Sequence, residues 1–200
     1  MSNAFRLIIS TAAALVMAAP AGAQAYSDGY SFIKAVKERD SSKVNEMVGG
    51  ERGPLIVNSK DAGNGDTALH IVTRRHDYDY LAFLLGKGAQ PNVANKEGET
   101  PLIIAARIGW TEGAELLLAR RANVDMTNSR GETPLIVAAQ GHDVPMVQLL
   151  LAHGADSRKT DNSAGYSALD YAKRDPRGAP IVKLLEVKRA APRAVAGPKL

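Results

Sequence analysis

Apolar positions along this chain recur as leucine pairs at a fixed interval: Leu84-Leu85, Leu117-Leu118, Leu150-Leu151 and Leu184-Leu185. Leu81, Ala114 and Val147 stand one turn ahead of the first three pairs, so each set reads as the inward face of a helix. A second motif precedes each pair at a matched distance. Gly65-Asp66-Thr67-Ala68-Leu69-His70 returns as Gly98-Glu99-Thr100-Pro101-Leu102-Ile103, then as Gly131-Glu132-Thr133-Pro134-Leu135-Ile136, and more weakly as Gly165-Tyr166-Ser167-Ala168-Leu169-Asp170. The spacings are 33, 33 and 34 residues. A period of this length marks a stack of supersecondary units, each burying its apolar face against the next.

Each repeated position has a physical task. Thr67, Thr100, Thr133 and Ser167 are expected N-caps, their hydroxyls accepting from the first free helical N–H groups. Pro101 and Pro134 fall at the first helical position, where a missing N–H costs nothing. Ala105-Ala106 and Ala138-Ala139 keep the first helix of a unit thin, so that neighbours approach closely. The second helix ends at Gly88 or Gly154, which can take positive φ. Arg121 stands where that glycine is expected, at a cost of about 1 kcal/mol if the left-handed conformation is kept. The third unit is expected to turn at Gly141, one residue early. The first lacks a glycine there and carries Asp77-Tyr78-Asp79-Tyr80.

The ends depart from the pattern as terminal units of a stack must. Tyr30 to Arg39 and Ser42 to Val48 read as a degenerate helix pair with Phe32, Ala35, Val36, Val44 and Met47 inward, followed by a loop from Gly49 to Pro54. Lys173, Arg174, Asp175 and Arg177 replace apolar surface in the last unit. The expected organisation is a cap over 28–60, repeats over 62–94, 95–127 and 128–160, a capping repeat over 161–187, and a disordered basic tail over 188–200.

These residues resemble the ankyrin repeat, with its T-P-L-H-x-A start, leucine pair and G-A-D-x-N turn, from about Ala62 to Glu186. Tetratricopeptide repeats have a 34-residue period but lack that start and that turn. The resemblance implies an all-α repeat solenoid of helix–turn–helix pairs joined by short hairpin loops. It also implies a non-catalytic scaffold that binds a protein in the concave groove formed by hairpin tips and first helices. Carried onto this chain, the groove positions are Asn64, Asp66, Arg74 and Arg75; then Lys96, Glu97, Glu99, Arg107 and Ile108; then Ser129, Arg130, Glu132 and Gln140; and finally Tyr166 and Arg174.

Stacking equivalent positions gives an acidic row, Asp66, Glu99 and Glu132, and a basic row, Arg74, Arg107 and Arg174, interrupted by Gln140. Helix-dipole matching accounts for such rows at some tenths of a kcal/mol each. The alternative is that they also orient a partner electrostatically. Trp110 and Tyr78, at turns between helices, are either partner anchors or covers for the turns.

The first 25 residues stand apart. They carry one charged side chain, Arg6, and the 13-residue apolar run Leu7–Ala19, too short for a bilayer span. Pro20 ends the run and Ala23-Gln24-Ala25 offers small residues for a signal peptidase. Residues 1–25 are therefore expected to be a signal peptide of bacterial form, and 26–187 the repeat domain. The expected destination is the periplasm, with secretion, and a role as an effector on a host protein, as the alternative. Without Arg6 the net charge falls from +4 to +3.

The chain has no cysteine, which excludes disulfides, thiolate catalysis, Cys-based zinc sites and lipoprotein acylation. His70 belongs to the repeat motif, while His76, His142 and His153 sit at turns with no shared helical face. Asp77 and Asp79 beside His76 read as a solvated turn rather than a metal site. No nucleophile elbow or phosphate loop occurs. The expectations are no cofactor, no metal, no enzymatic activity and no nucleic-acid partner. The mature chain is expected to be a monomer without a membrane span, bound to a protein of unknown identity.

Overall fold

The computed structural model describes residues 21–190, with side chains described from Asp28 to Val187. The apolar run of the expected signal peptide and most of the tail lie outside the described residues. The described part of the chain begins inside α1, Ala21–Glu38, which runs through Ala25. It continues through α2 (Ser41–Gly49), α3 (Gly53–Ile56), α4 (Ala68–Arg74), α5 (Tyr78–Gly86), α6 (Pro101–Ile108) and α7 (Thr111–Ala119). Then follow α8 (Pro134–Gln140), α9 (Val144–Ala152), α10 (Ala168–Lys173), a 3₁₀ turn at Pro176–Gly178 and α11 (Ala179–Ala190). Among the described residues the only extended pairing is an isolated bridge between Thr160 and Ser167.

The architecture is the expected solenoid. First helices stack in the order α1, α4, α6, α8, α10, and second helices α5, α7 and α9 stack behind them. One continuous core runs from Phe32 in the N-terminal unit to Leu185 in the last. Of the leucines reading inward from sequence, Leu81, Leu84, Leu117 and Leu150 are fully enclosed, whereas Leu184 is only partly buried. First helices are buried almost all round, as Leu102 to Ala106 and Pro134 to Ala139 show. That is why alanines are needed on them: each is packed on both sides by neighbours.

Capping follows the sequence. Thr100 Oγ1 accepts from the Ile103 N–H at 3.3 Å, Thr133 Oγ1 from the Ile136 N–H at 3.2 Å, and Ser167 Oγ from the Asp170 N–H at 3.3 Å. Second helices are capped by aspartates, with Asp40, Asp77 and Asp143 each accepting from the N–H three residues on.

Three local expectations need correction, and one that was open is decided. The segment Gly49–Pro54 is not simply a loop, because α3 starts at Gly53 with Pro54 in its first turn. At the other end α11 continues past Val187 to Ala190, so the first three residues of the expected tail are helical. In the third repeat Gly141 is right-handed at φ −77°, and the turn residue is His142 at φ 56°. His142 lies in register with Gly109 (φ 69°) and with His76 (φ 54°). The turn therefore keeps its place in all three repeats, and two of them force a histidine into the left-handed region at a conformational cost. Lastly, Trp110 is 6% exposed and is no free anchor. It occupies the N-cap position that aspartate holds elsewhere. Gly113 makes room for it, since a Cβ there would lie 2.1 Å from the indole, and His76 packs on its ring at 5.4 Å between centroids. Tyr78 does remain exposed.

Candidate partner-binding face

The hairpin tips are built by one device, a side-chain oxygen that gathers backbone N–H groups. Asn95 Oδ1 accepts from Glu97 and Glu99, and Asn128 Oδ1 from Arg130 and Glu132, each bond 2.9–3.0 Å. Asp61 and Asp161 do the same in the outer hairpins. Successive tips are then stitched together. The Lys96 N–H donates to the Asn64 carbonyl at 2.9 Å, Ser129 to Glu97 at 3.0 Å, and Asn162 to Arg130 at 2.8 Å. The tips pack so closely that a Cβ at Gly98 (φ 75°) would fall 2.6 Å from the Ser129 nitrogen. The result is an exposed face on a fixed backbone.

Beneath the tips lies the charged pairing. The acidic row is not on the surface: Asp66 is 3% exposed, and Glu99 and Glu132 are 7% exposed. Each carboxylate is covered by the residue eight positions on. Arg74 binds Asp66, Arg107 Nη2 reaches Glu99 Oε1 at 2.6 Å, and Gln140 donates to Glu132 Oε1 at 3.1 Å. The contacts also step between repeats: Arg74 stands 4.0 Å from Glu99 and Arg107 3.9 Å from Glu132. Asn95 donates across a repeat to Asp66 at 3.0 Å, and Arg130 closes on Glu132 at 2.7 Å. The last repeat keeps the geometry with other chemistry, Arg174 lying over the Tyr166 ring at 5.1 Å. The rows are thus partners of one another.

Burial pushes the Asp66 and Glu132 carboxyls up. Bonds from Arg74 and Asn95 to Asp66, and from Arg130, Asn128 and Gln140 to Glu132, outweigh it and hold both below their ordinary values. His70 is a different link. Its Nδ1 accepts from the Thr67 N–H at 3.1 Å, and its Nε2 lies 2.9 Å from the Glu99 carbonyl. Those two contacts fit the neutral ring protonated at Nε2, tying repeat one to repeat two. Burial holds its pKa below 6.5.

The expected groove residues therefore divide. Asn64, Lys96, Glu97, Ile108, Ser129 and Arg130 are exposed. Arg74 and Arg107 show their guanidinium side chains at 40% and 38% while covering carboxylates. Arg75 is half-buried and donates to the Val36 and Lys37 carbonyls at 2.8 and 2.7 Å. Gln140 and Tyr166 are half-buried, and Arg174 is exposed. Asp66, Glu99 and Glu132 are internal and drop out as contact residues. Residues 60 and 34 were missed: Lys60 and Lys34 share the wall of a cavity at the N-terminal end of the face. Lys34 and Lys60 stand far apart in the sequence, and nothing local marks them as neighbours.

Among the described residues, no group of three or more His, Asp or Glu side chains is arranged to hold a metal ion. No helix there is long and apolar enough to cross a membrane.

Comparison with known proteins agrees with the architecture. A family model described as ankyrin repeats (3 copies) matches residues 32–128, and one described as ankyrin repeats (many copies) matches 116–172. The chain is similar to a "Transient receptor potential cation channel subfamily A member 1 homolog" of Caenorhabditis elegans, with 46% identity over 28% of this chain and 4% of that protein. It is similar to the "2-5A-dependent ribonuclease" of Homo sapiens, with 34% identity over 42% of this chain and 11% of that protein. It is also similar to a "Putative ankyrin repeat protein" of Rickettsia felis, with 47% identity over 24% of this chain and 22% of that protein. The chain thus spans at most about a fifth of the length of these relatives, and what it shares with them is the repeat. The chain belongs to the ankyrin-repeat family.

Proposed function

We propose that this protein is a non-catalytic interaction module of the bacterial periplasm, exported by residues 1–25 and binding a protein partner through its concave face. Ankyrin repeats are protein-interaction scaffolds, and the finer reading rests on one observation. The tips and first helices present Lys96, Glu97, Ile108, Ser129 and Arg130 to solvent from a backbone already locked by tip-to-tip hydrogen bonds. A surface fixed in advance loses little entropy when a partner docks, which is how affinity is gained without a deep pocket.

Export is supported by the apolar run Leu7–Ala19 ahead of Ala23-Gln24-Ala25. The test uses residues 26–200 as bait in a periplasmic extract. Ile108→Asp combined with Glu97→Lys changes exposed side chains and leaves the main-chain bond from Ser129 to the Glu97 carbonyl in place. Loss of the captured partner, with an unchanged thermal melt, is the expected result. Capture that survives the double variant refutes the face, and recovery of the full-length protein from the cytoplasmic fraction refutes export.

A further inference from the structure

The N-terminal end of the concave face differs from the rest. There α1 and the first hairpin line an open cavity of about 240 Å³, its apolar wall given by Tyr30 and Ile33 and its charged lining by Lys34, Lys37, Lys60 and Asp61. Ile33 is buried, whereas Tyr30 is 62% exposed. Two more cations adjoin this lining. Arg75 donates to the Lys37 carbonyl, and Lys96 Nζ lies 2.7 Å from the carbonyl of Ala62, which lines the cavity.

What holds these cations in place decides the electrostatics. Further along the face, Arg74, Arg107 and Arg130 are neutralised by carboxylates. Here Lys60 is held by the Ala94 carbonyl at 2.7 Å, Lys96 by the Ala62 and Gly63 carbonyls, and Arg75 by the Val36 and Lys37 carbonyls. A carbonyl fixes an ammonium without cancelling its charge. Ion pairs exist for Lys37 with Asp61 at 2.6 Å and, on the exposed side of α1, for Lys34 with Glu38 at 3.8 Å. Among the described residues, three of the five cations therefore have no ion pair, yet their positions are set.

We propose that this end of the face binds an acidic peptide segment of the partner, one of whose apolar side chains enters the cavity against Tyr30 and Ile33. The proposal rests on the concave-face reading and narrows the partner to a class. Carboxylates flanking the apolar residue meet Lys34, Lys60 and Lys96 in charge-assisted hydrogen bonds. The positive rim speeds encounter and suppresses basic competitors. A flat bilayer does not reach a concave wall, and an apolar-walled cavity suits a side chain better than a phosphate chain.

The test is fluorescence anisotropy with residues 26–200 and three labelled probes. These are an acidic peptide of alternating Glu and Leu, its Lys-and-Leu counterpart, and an oligothymidylate of equal negative charge. The acidic peptide is expected to bind at low ionic strength, to weaken steadily as salt is raised, and to outbind both other probes. Lys60→Glu with Lys96→Glu should weaken it about tenfold or more. Lys34→Gln, which gives up only the exposed pair with Glu38, should weaken it with little change in the melt. Failure of the acidic peptide to bind, equal binding of the basic peptide, or tighter binding of the oligothymidylate overturns the proposal. Partner capture separates the two levels. If the lysine variants keep the partner and Ile108→Asp loses it, the peptide proposal fails while the concave face stands; if all of them keep it, both fail.

Discussion

His70 makes the stability of the first repeat interface depend on pH in the neutral range. Burial lowers its pKa from 6.5, so the native state holds a neutral ring while the unfolded chain takes up a proton as pH falls. Below the unfolded pKa the unfolded state binds more protons, and stability must decline with falling pH. Between about pH 7.5 and pH 5.5, a histidine that titrates only in the unfolded state costs about 1.4 kcal/mol. That figure is the ceiling, reached if the native ring stays neutral throughout. For a domain of this size it corresponds to a fall in Tm of about 3–6 °C.

The assay is urea and thermal unfolding by far-ultraviolet circular dichroism at both pH values, for the parent and for His70→Ile. The substitution copies the equivalent positions, where Ile103 and Ile136 are fully buried. The parent should lose up to about 1.4 kcal/mol more than the variant over this range, because the two chains differ only at this ring. The loss should fall first on α4 and α6, since Nε2 contacts the Glu99 carbonyl between them, and amide exchange would locate it there. An identical pH dependence in His70→Ile would refute the reasoning.

The remaining predictions concern the backbone and the core. Gly98→Ala meets a left-handed φ of 75° and the Ser129 nitrogen at 2.6 Å, so it should cost about 2–4 kcal/mol in urea unfolding; a loss below about 1 kcal/mol would mean that the tips relax freely. Arg121 holds φ 65° where Gly88 and Gly154 hold 89° and 88°. Arg121→Gly should therefore gain about 1 kcal/mol, and a loss of stability in the same measurement would refute it. The Tyr80 hydroxyl is enclosed without a hydrogen-bond partner among the described residues, and burial, followed by the Asp77 and Asp40 charges, pushes its pKa up to about 12. Tyr80→Phe should leave stability unchanged or raise it by up to about 1 kcal/mol; a clear loss would show that the hydroxyl is bonded.

Local chemistry explains what could be read from the chain. An N-cap needs only a hydroxyl and the N–H three residues on, so Thr100, Thr133 and Ser167 announce their helices. Leucine pairs need only the helical period. The turn at His142 was misread because Gly141 offered the usual signal next door. The 33-residue register from Gly109 places the left-handed residue at 142, and a turn fixed by packing between repeats outweighs the local preference for glycine. Trp110 was left open for the opposite reason. A large aromatic at a turn looks exposed until Gly113, three residues later, is seen to be the space into which it folds.

The charged rows show where reading by residue type stops short. Acids before a helix and bases at its end are what dipole matching produces, and a separation of eight residues is not a neighbouring position on a helix surface. Arginine side chains nevertheless point back toward the helix N-terminus, far enough for Arg107 to reach Glu99 and approach Glu132. What repeats is that reach, not the pair of residues: Gln140 uses it with Glu132 and Arg174 uses it with the Tyr166 ring. The net charge of the concave face then follows from which cations the ladder consumes. Arg74, Arg107 and Arg130 are paired with carboxylates within it, whereas Lys60, Arg75 and Lys96 are bound by carbonyls and keep their charge. A count of charges along the chain treats all of these alike. Only the identity of each hydrogen-bond acceptor separates a face that is mixed in composition from one that is positive at a single end.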